Sequence, residues 1–385
     1  SEEQEVLIQS FSNTELKEVL DELYLDDAVD IVEEMPASVV IRILDKATPE
    51  MRKSINEILK YPEDSTGSIM NMEFLSLKKD MTVEDAFKRI RRIGGELETI
   101  NILYVTDPTR RLLGVLSVRD LLLAEEDDLI EDIMDPNVVW VSTMDDKEDA
   151  AQALSKYGFL AMPVVDLENR LVGIVTVDDA MDVIEEETTE DFEKMAAMLP
   201  SEKPYLKTGV FQLARNRIPW LMILMLSSMV TGGILLKYEN AFSVIPLLVT
   251  FIPMLMDTGG NSGSQASTMI IRGMAVGEVE PADILKVMWK EIRVGMLCGL
   301  SLALVNFVRL MIQYPGQVLI CLTVVISLFC TVIIAKTIGC VLPIAAKTIH
   351  LDPAIMASPM ITTIVDAVSL MVYFNLACHL LDMTV

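Results

Sequence analysis

The 385-residue sequence holds only two histidines, His350 and His379, so a zinc or haem site built on histidine has almost nothing to draw on. Its five cysteines, Cys298, Cys321, Cys330, Cys340 and Cys378, all lie late in the chain, and residues 1–207 contain none. That placement excludes a disulfide framework in a soluble domain. Basic side chains are scarce where charge is dense: residues 1–207 carry 21 Lys and Arg against 48 Asp and Glu. Nucleic-acid binding, which needs a basic face, is disfavoured on that count. The chain has no P-loop and no serine or cysteine nucleophile motif, which makes an enzyme the least favoured class. The acidic, polar start carries no signal-peptide pattern.

What is present is hydrophobic and segregated. The chain is 51% hydrophobic, with a mean hydropathy of +0.41, yet its formal net charge is −26. The two figures coexist because they belong to different halves: residues 208–385 carry 9 acidic and 10 basic side chains. A span needs about 20 mostly apolar residues. Five runs are expected to cross a bilayer, at 218–236, 241–256, 290–312, 317–342 and 354–381. Arg215, Arg217, Arg272, Lys286, Lys290, Arg293 and Lys347 fall on one side of these spans, against Lys237 and Arg309 on the other. The excess places the acidic half in the cytoplasm and the C-terminus outside, in a multi-pass protein of the cell (inner) membrane.

Asp366 falls near the middle of the fifth expected span, where a carboxylate costs a few kcal/mol and marks a functional position by default. Ser358 or Pro359, Thr362, Asp366, Ser369 and Tyr373 follow helical spacing on one face. A polar face can also be interhelical glue, but the carboxylate at its centre favours an ion path. The stretch Met256-Asp-Thr-Gly-Gly-Asn-Ser-Gly-Ser-Gln265 is the second signal. Three glycines in so short a run are expected to let the backbone leave helical geometry and turn carbonyls, those of Gly259 and Gly260 among them, toward a cavity. A solvated cytoplasmic loop is the alternative. Asp257, Asn261 and Gln265, spaced four apart, add oxygen ligands.

The acidic half contains an internal repeat. Asp107–Asp120 matches Asp166–Asp179 at an offset of 59, and Thr82-Val-Glu-Asp-Ala86 matches Asp146-Lys-Glu-Asp-Ala150. Each copy reads strand, helix, strand, turn, strand, helix, with Gly114 and Gly173 expected at the turns. This resembles a tandem pair of cystathionine-β-synthase (CBS) domains, an architecture that senses small ligands. Ser117 with Asp120, and Thr176 with Asp179, stand where nucleotide-binding CBS domains hold ribose, which makes ATP a candidate ligand; the same residues can simply cap the following helix. Residues 11–62 read as short amphipathic helices with start signals at Ser38 and Thr48-Pro49, too small a set for an independent core and expected to dock on the CBS pair.

Residues 178–193 are rich in acid, and on a helix Asp179, Asp182, Glu186, Glu190 and Glu193 share a face. Such a run can be a solvated helix. Here it joins the CBS pair to the first span, and further carboxylates come from Asp26, Asp27, Asp30 and 125–128. Facing acidic surfaces repel unless cations bridge them, and hard oxygen clusters suit Mg2+ or Ca2+.

Taken together, the order of parts and the residues Gly259-Gly-Asn-Ser-Gly-Ser-Gln265, Arg272, Asp352-Pro-Ala354 and Thr362-Thr-Ile-Val-Asp366 resemble the MgtE family of magnesium channels. The resemblance implies an all-α N-terminal adaptor at 1–64, an α/β CBS pair at 65–124 and 125–184, an acidic connecting (plug) helix at 185–207, and an all-α bundle of five spans at 208–385. It also implies a homodimer in the lipid bilayer with one pore, a hydrated Mg2+ held by Asp366, and sensor Mg2+ at Glu148, Asp179, Asp182, Glu187, Glu190 and Asp191. Pore contacts are expected from Asp366, Asn261, Asp257, Thr362, Ser358, Gly259 and Gly260. Two departures from the family stand out: a short N-terminal region, and Ser155 and Gly158 near Glu148, where a further acid would be expected. The expected function is a Mg2+-selective channel closed by cytosolic Mg2+. A coupled divalent-cation exchanger and a membrane-anchored sensor without transport are the alternatives.

Overall fold

A computed structural model of the chain describes residues 7, 8, 10–201, 205–239 and 245–382. The chain divides into two compact units, Ser1–Glu187 and Thr188–Val385.

Among the described residues of the first unit, helical residues 7, 8 and 10 are followed by four ten-residue helices, α1 (Asn13–Glu22), α2 (Leu25–Glu34), α3 (Ala37–Lys46) and α4 (Pro49–Ile58). Local chemistry starts two of them. Ser12 and Glu15 form a reciprocal capping box on α1, and Thr48 accepts from the Met51 amide at 3.1 Å with Pro49 in the first turn of α4. Helix α3 begins one residue before the expected Ser38, because Pro36 stands at its cap position and presets the backbone. Leu16, Leu20, Ala28, Val29, Ile43, Ile55 and Ile58 share one core with Val141, Leu154, Met162, Val164 and Val183 of the second repeat. The helices therefore dock on the CBS pair and have no separate core.

The repeat folds twice into the same three-stranded unit. Strands β1 (Ser76–Lys78), β2 (Ile102–Thr106) and β3 (Leu112–Ser117) lie in that order, β1 parallel and β3 antiparallel to β2. Strands β4 (Val141–Ser142), β5 (Ala161–Val165) and β6 (Leu171–Thr176) repeat the arrangement. Helices α5 (Val83–Ile93) and α6 (Val118–Leu123) complete the first copy, α7 (Ile130–Ile133) links the two, and α8 (Lys147–Tyr157) and α9 (Val177–Met195) belong to the second. Gly114 and Gly173 do not make the turns. They sit inside β3 and β6, and the turn residues with positive φ are Arg110 (69°) and Asn169 (60°). The glycines are needed because a crossing segment lies against each strand: a Cβ on Gly114 would stand 2.7 Å from Met134 Sδ, and one on Gly173 2.8 Å from Met70 Sδ.

The second unit takes in the end of α9, then α10 (Val210–Lys237), α11 (Ile252–Ala275), α12 (Ile284–Gln313), α13 (Val318–Thr348) and α14 (Ser358–Leu380). Among the described residues four helical segments are long and apolar enough to cross a membrane: Val210–Lys237, Pro281–Gln313, Val318–Thr348 and Ser358–Leu380. The expected span at 241–256 is replaced. Residues 241–244 lie outside the described residues, Pro246–Phe251 is a short 3-10 turn, and the helix that follows runs through the glycine-rich stretch. Helix α13 touches α11, α12 and α14, so it forms the centre of this unit. Its core gathers Phe251, Leu255, Leu310, Leu328, Val332, Tyr373 and Phe374, and the Tyr373 hydroxyl donates to the Leu248 carbonyl at 2.9 Å.

Candidate functional site

The glycine-rich stretch is helical throughout, contrary to the expected unwound backbone. Its small residues serve close packing. A Cβ on Gly263 would meet Ile361 Cγ2 at 2.7 Å and the Ala335 carbonyl at 3.2 Å, and one on Gly260 would meet Thr362 Cγ2 at 2.9 Å. Removing side chains on this face lets α11 lie directly on α13 and α14. The same periodicity leaves Asp257 and Asn261, four residues apart, on a polar edge. Helix α14 presents Thr362 and Asp366 with the same spacing.

The two edges meet. Met256, Asp257, Gly260, Asn261, Thr362 and Asp366 line an open cavity of about 200 Å3, room for an ion with several waters. The Thr362 hydroxyl donates to the Pro359 carbonyl at 3.0 Å, which leaves its oxygen free to accept on the cavity side. Ser358 lies one helical turn before Thr362, its Oγ 3.0 Å from Ser264 Oγ of α11. Gly259 is turned away from the cavity, against Thr331, Val365 and Ser369. Met256 is the lining residue that the sequence did not single out, and its apolar side chain gives no such signal.

A second constellation lies in the first unit. Carboxylate oxygens of Asp26 (α2), Glu98 (before β2) and Asp179 (α9) lie within 4.8 Å of one another, and all three residues are half-buried. Burial pushes Glu98 up to about 8, with Asp26 and Asp179 adding like charge. Asp179 is pushed up to about 7 by burial, against a lowering hydrogen bond from Thr176. Burial raises Asp26 as well, and burial with Asp26 beside it takes Asp30 to about 6. Among the described residues, Glu98 Oε2 and the Tyr104 hydroxyl are buried with no hydrogen-bond partner. Three hard oxygens with orphaned polar atoms beside them fit a divalent cation of the Mg2+ or Ca2+ type.

Of the expected sensor residues, only Asp179 belongs to this cluster. Glu148 accepts from Gln152 Nε2 at 2.9 Å on α8, and Asp182 is exposed one turn beyond Asp179. Glu187 is half-exposed on the same helix. Glu190 and Asp191 lie in the second unit. Glu190 pairs with Lys194 at 2.8 Å, and Asp191 is raised by burial and by the neighbouring Asp352. Thr176 donates to the Asp179 carboxylate as Ser117 does to Asp120, and the Ser117 oxygen also accepts from the Asp120 amide at 3.1 Å, so Ser117 caps α6.

Comparison with known proteins agrees with these parts. Residues 1–64 match the MgtE intracellular N domain, 67–127 and 130–186 match CBS domains, and 252–376 match the MgtE divalent cation transporter model. The magnesium transporter MgtE of Thermus thermophilus is 37% identical over 358 residues, covering 93% of this chain and 79% of the relative. The chain belongs to the MgtE family. The Bacillus subtilis magnesium transporter MgtE is 33% identical, with 97% of this chain and 82% of the relative covered. A crystal structure of the cytosolic domain of the Mg2+ channel MgtE in complex with ATP shares 41% identity over 47% of this chain and 75% of that one, with a TM-score of 0.45. Membership of this family, together with the four helical segments long and apolar enough to cross a membrane, makes the second unit a membrane domain.

Proposed function

We propose that this MgtE protein is a Mg2+-selective channel of the cytoplasmic membrane, closed by cytosolic Mg2+ and serving magnesium uptake. The observation that carries the reading is the cavity on the seam of α11 and α14, with Asp257 and Asp366 beside Asn261 and Thr362. Mg2+ gives up its water reluctantly and prefers octahedral oxygen geometry. Carboxylates across a water-filled cavity hold such an ion through its hydration shell without stripping it. Helix α11 is the fifth membrane element: its glycine and serine face is covered by protein, while Asp257 and Asn261 face the open cavity. Lys286, Lys290 and Arg293 at the start of α12 set the cytoplasmic side, with the N-terminus inside and the C-terminus outside. Two copies related by a twofold axis put two such cavities together and supply the charge for a divalent path.

The closing signal acts through the acidic cluster. Asp26, Glu98 and Asp179 form the Mg2+ sensor site, with Glu148, Asp182 and Glu187 supplying outlying charge, and Glu190 and Asp191 are further sensor carboxylates within the second unit. The helical domain, the two CBS domains, the connecting helix and the membrane domain are the working parts, in the order 1–64, 65–124, 125–184, 185–207 and 208–385.

The test is Mg2+ flux through purified protein in liposomes, with subunit counting in the same membranes. Asp366→Ala is expected to abolish high-affinity Mg2+ conduction, and the functional particle is expected to hold two subunits. Unchanged Mg2+ flux in Asp366→Ala removes this residue from the pathway. Flux that depends on a proton gradient selects the exchanger instead.

A further inference from the structure

The acidic run of α9 ends in a basic residue placed among acids. Lys194 Nζ lies 2.8 Å from Glu190 Oε1 on its own helix and 2.7 Å from Asp352 Oδ2, just before α14. Asp352 is held in place by a further bond, its Oδ1 accepting from the Ala354 amide at 2.8 Å. Met195 packs beside Ile271 of α11 and Ala354 and Ala357 at the entry of α14. The chain then reverses at Ala197, whose φ is 54°, and is tied to α10. The Leu199 amide donates to the Asn216 carbonyl at 3.0 Å, and Asn216 Nδ2 donates to the Pro200 carbonyl at 3.2 Å. The end of the linking helix is thus fastened to the helices that carry the cavity, and every group in the fastening belongs to this chain.

We propose that Lys194 is a built-in latch, its ammonium group joining Glu190 to Asp352 and holding the end of the linking helix against the entry of α14 without a divalent ion. Between two carboxylates an ammonium ion does what a bridging cation does, but it is covalently attached and cannot leave. The inference rests on the reading that this helix controls the pathway. It adds that closure is biased from within, so that Mg2+ bound elsewhere has only to tip a helix already part-held. Removing the latch therefore raises the Mg2+ needed for closure and does not stop conduction.

The experiment uses full-length protein with Lys194→Met, Lys194→Arg, Asp352→Asn and the double variant Lys194→Met/Asp352→Asn. Asparagine keeps the oxygen that accepts from the Ala354 amide and removes only the charge. Two readouts are taken: Mg2+ flux in liposomes against Mg2+ on the cytoplasmic face, and backbone hydrogen exchange at 190–199 in metal-free protein. Lys194→Met and Asp352→Asn are each expected to raise the Mg2+ for half-closure about three- to tenfold and to speed exchange. The double variant is expected to match either single one, and Lys194→Arg to stay near wild type. Singles that match wild type in both readouts overturn the latch, as does a double variant whose effects add. If wild type shows no closure by Mg2+, the gating reading fails and exchange alone decides: faster exchange in both singles supports the latch, and unchanged exchange overturns it.

Discussion

Asp26, Glu98 and Asp179 have raised proton affinities for one cause above all, burial of carboxylates beside one another. A carboxylate whose folded pKa lies above its unfolded value binds more protons in the folded state. Its contribution to stability is therefore fully present below about pH 4 and is lost as pH rises through about 7 for Asp179 and about 8 for Glu98. Protein stripped of metal with chelator should melt at a lower temperature at pH 8.5 than at pH 6, and saturating Mg2+ should remove most of that difference by replacing the protons. Glu98→Gln should flatten the metal-free pH dependence, measured by thermal unfolding in detergent. A pH dependence identical in wild type and Glu98→Gln dissociates Glu98 from the cluster. Glu98 was not legible in the sequence. It belongs to an irregular segment before β2, with no periodic partner, and only the fold brings it to Asp26 and Asp179. The Asp26, Asp27 and Asp30 group was legible as acidic charge, and Asp179 from its place in the repeat.

Helix α11 shows how composition can point to the right residues for the wrong reason. Glycine permits an unwound backbone, and it also permits two helices to touch; the sequence alone does not separate these uses. In this chain the neighbours decide, because Ile361 and the Ala335 carbonyl leave no room for a Cβ on Gly263. Gly263→Ala should destabilise the membrane unit by about 1–3 kcal/mol through overpacking, read as a lower melting temperature in detergent. Combining it with Ile361→Ala should cost less than the two changes separately, since the second opens space for the first. Full additivity would show that the contact does not limit packing. Gly114 and Gly173 carry the same lesson for strands: the offset of 59 revealed the repeat, but the crossing segments that require glycine come from distant sequence. The strand and helix order of the two CBS copies was legible because alternation and repetition are local signals. The bounds of the membrane helices were less so, since apolarity marks the bilayer core while hydrogen bonding continues the helix past it, as at Val210–Lys237.

Charge and hydropathy are divided along the chain, and α9 is the covalent element common to both units, beginning in one and ending in the other. That arrangement gives the acidic unit a route to the membrane unit, provided metal binding changes what the helix does. Three carboxylates within 4.8 Å repel when ionised, and a divalent ion among them turns the repulsion into attraction. The ion acts through its differential affinity for the arrangement in which the three are together. Neutralising Asp26, Glu98 and Asp179 together, as Asn, Gln and Asn, has two opposed effects: it removes the repulsion that favours separation, and it removes the ligands. Loss of ligands should dominate, because a neutral amide binds Mg2+ far more weakly than a carboxylate. The triple variant should therefore conduct Mg2+ at low cytosolic Mg2+ as wild type does and need at least about tenfold more Mg2+ to close. The measurement is open probability against cytosolic Mg2+ in a reconstituted bilayer. A variant closed at every Mg2+ concentration would mean that repulsion is what keeps the channel open, and superimposed curves would remove this cluster from the sensor.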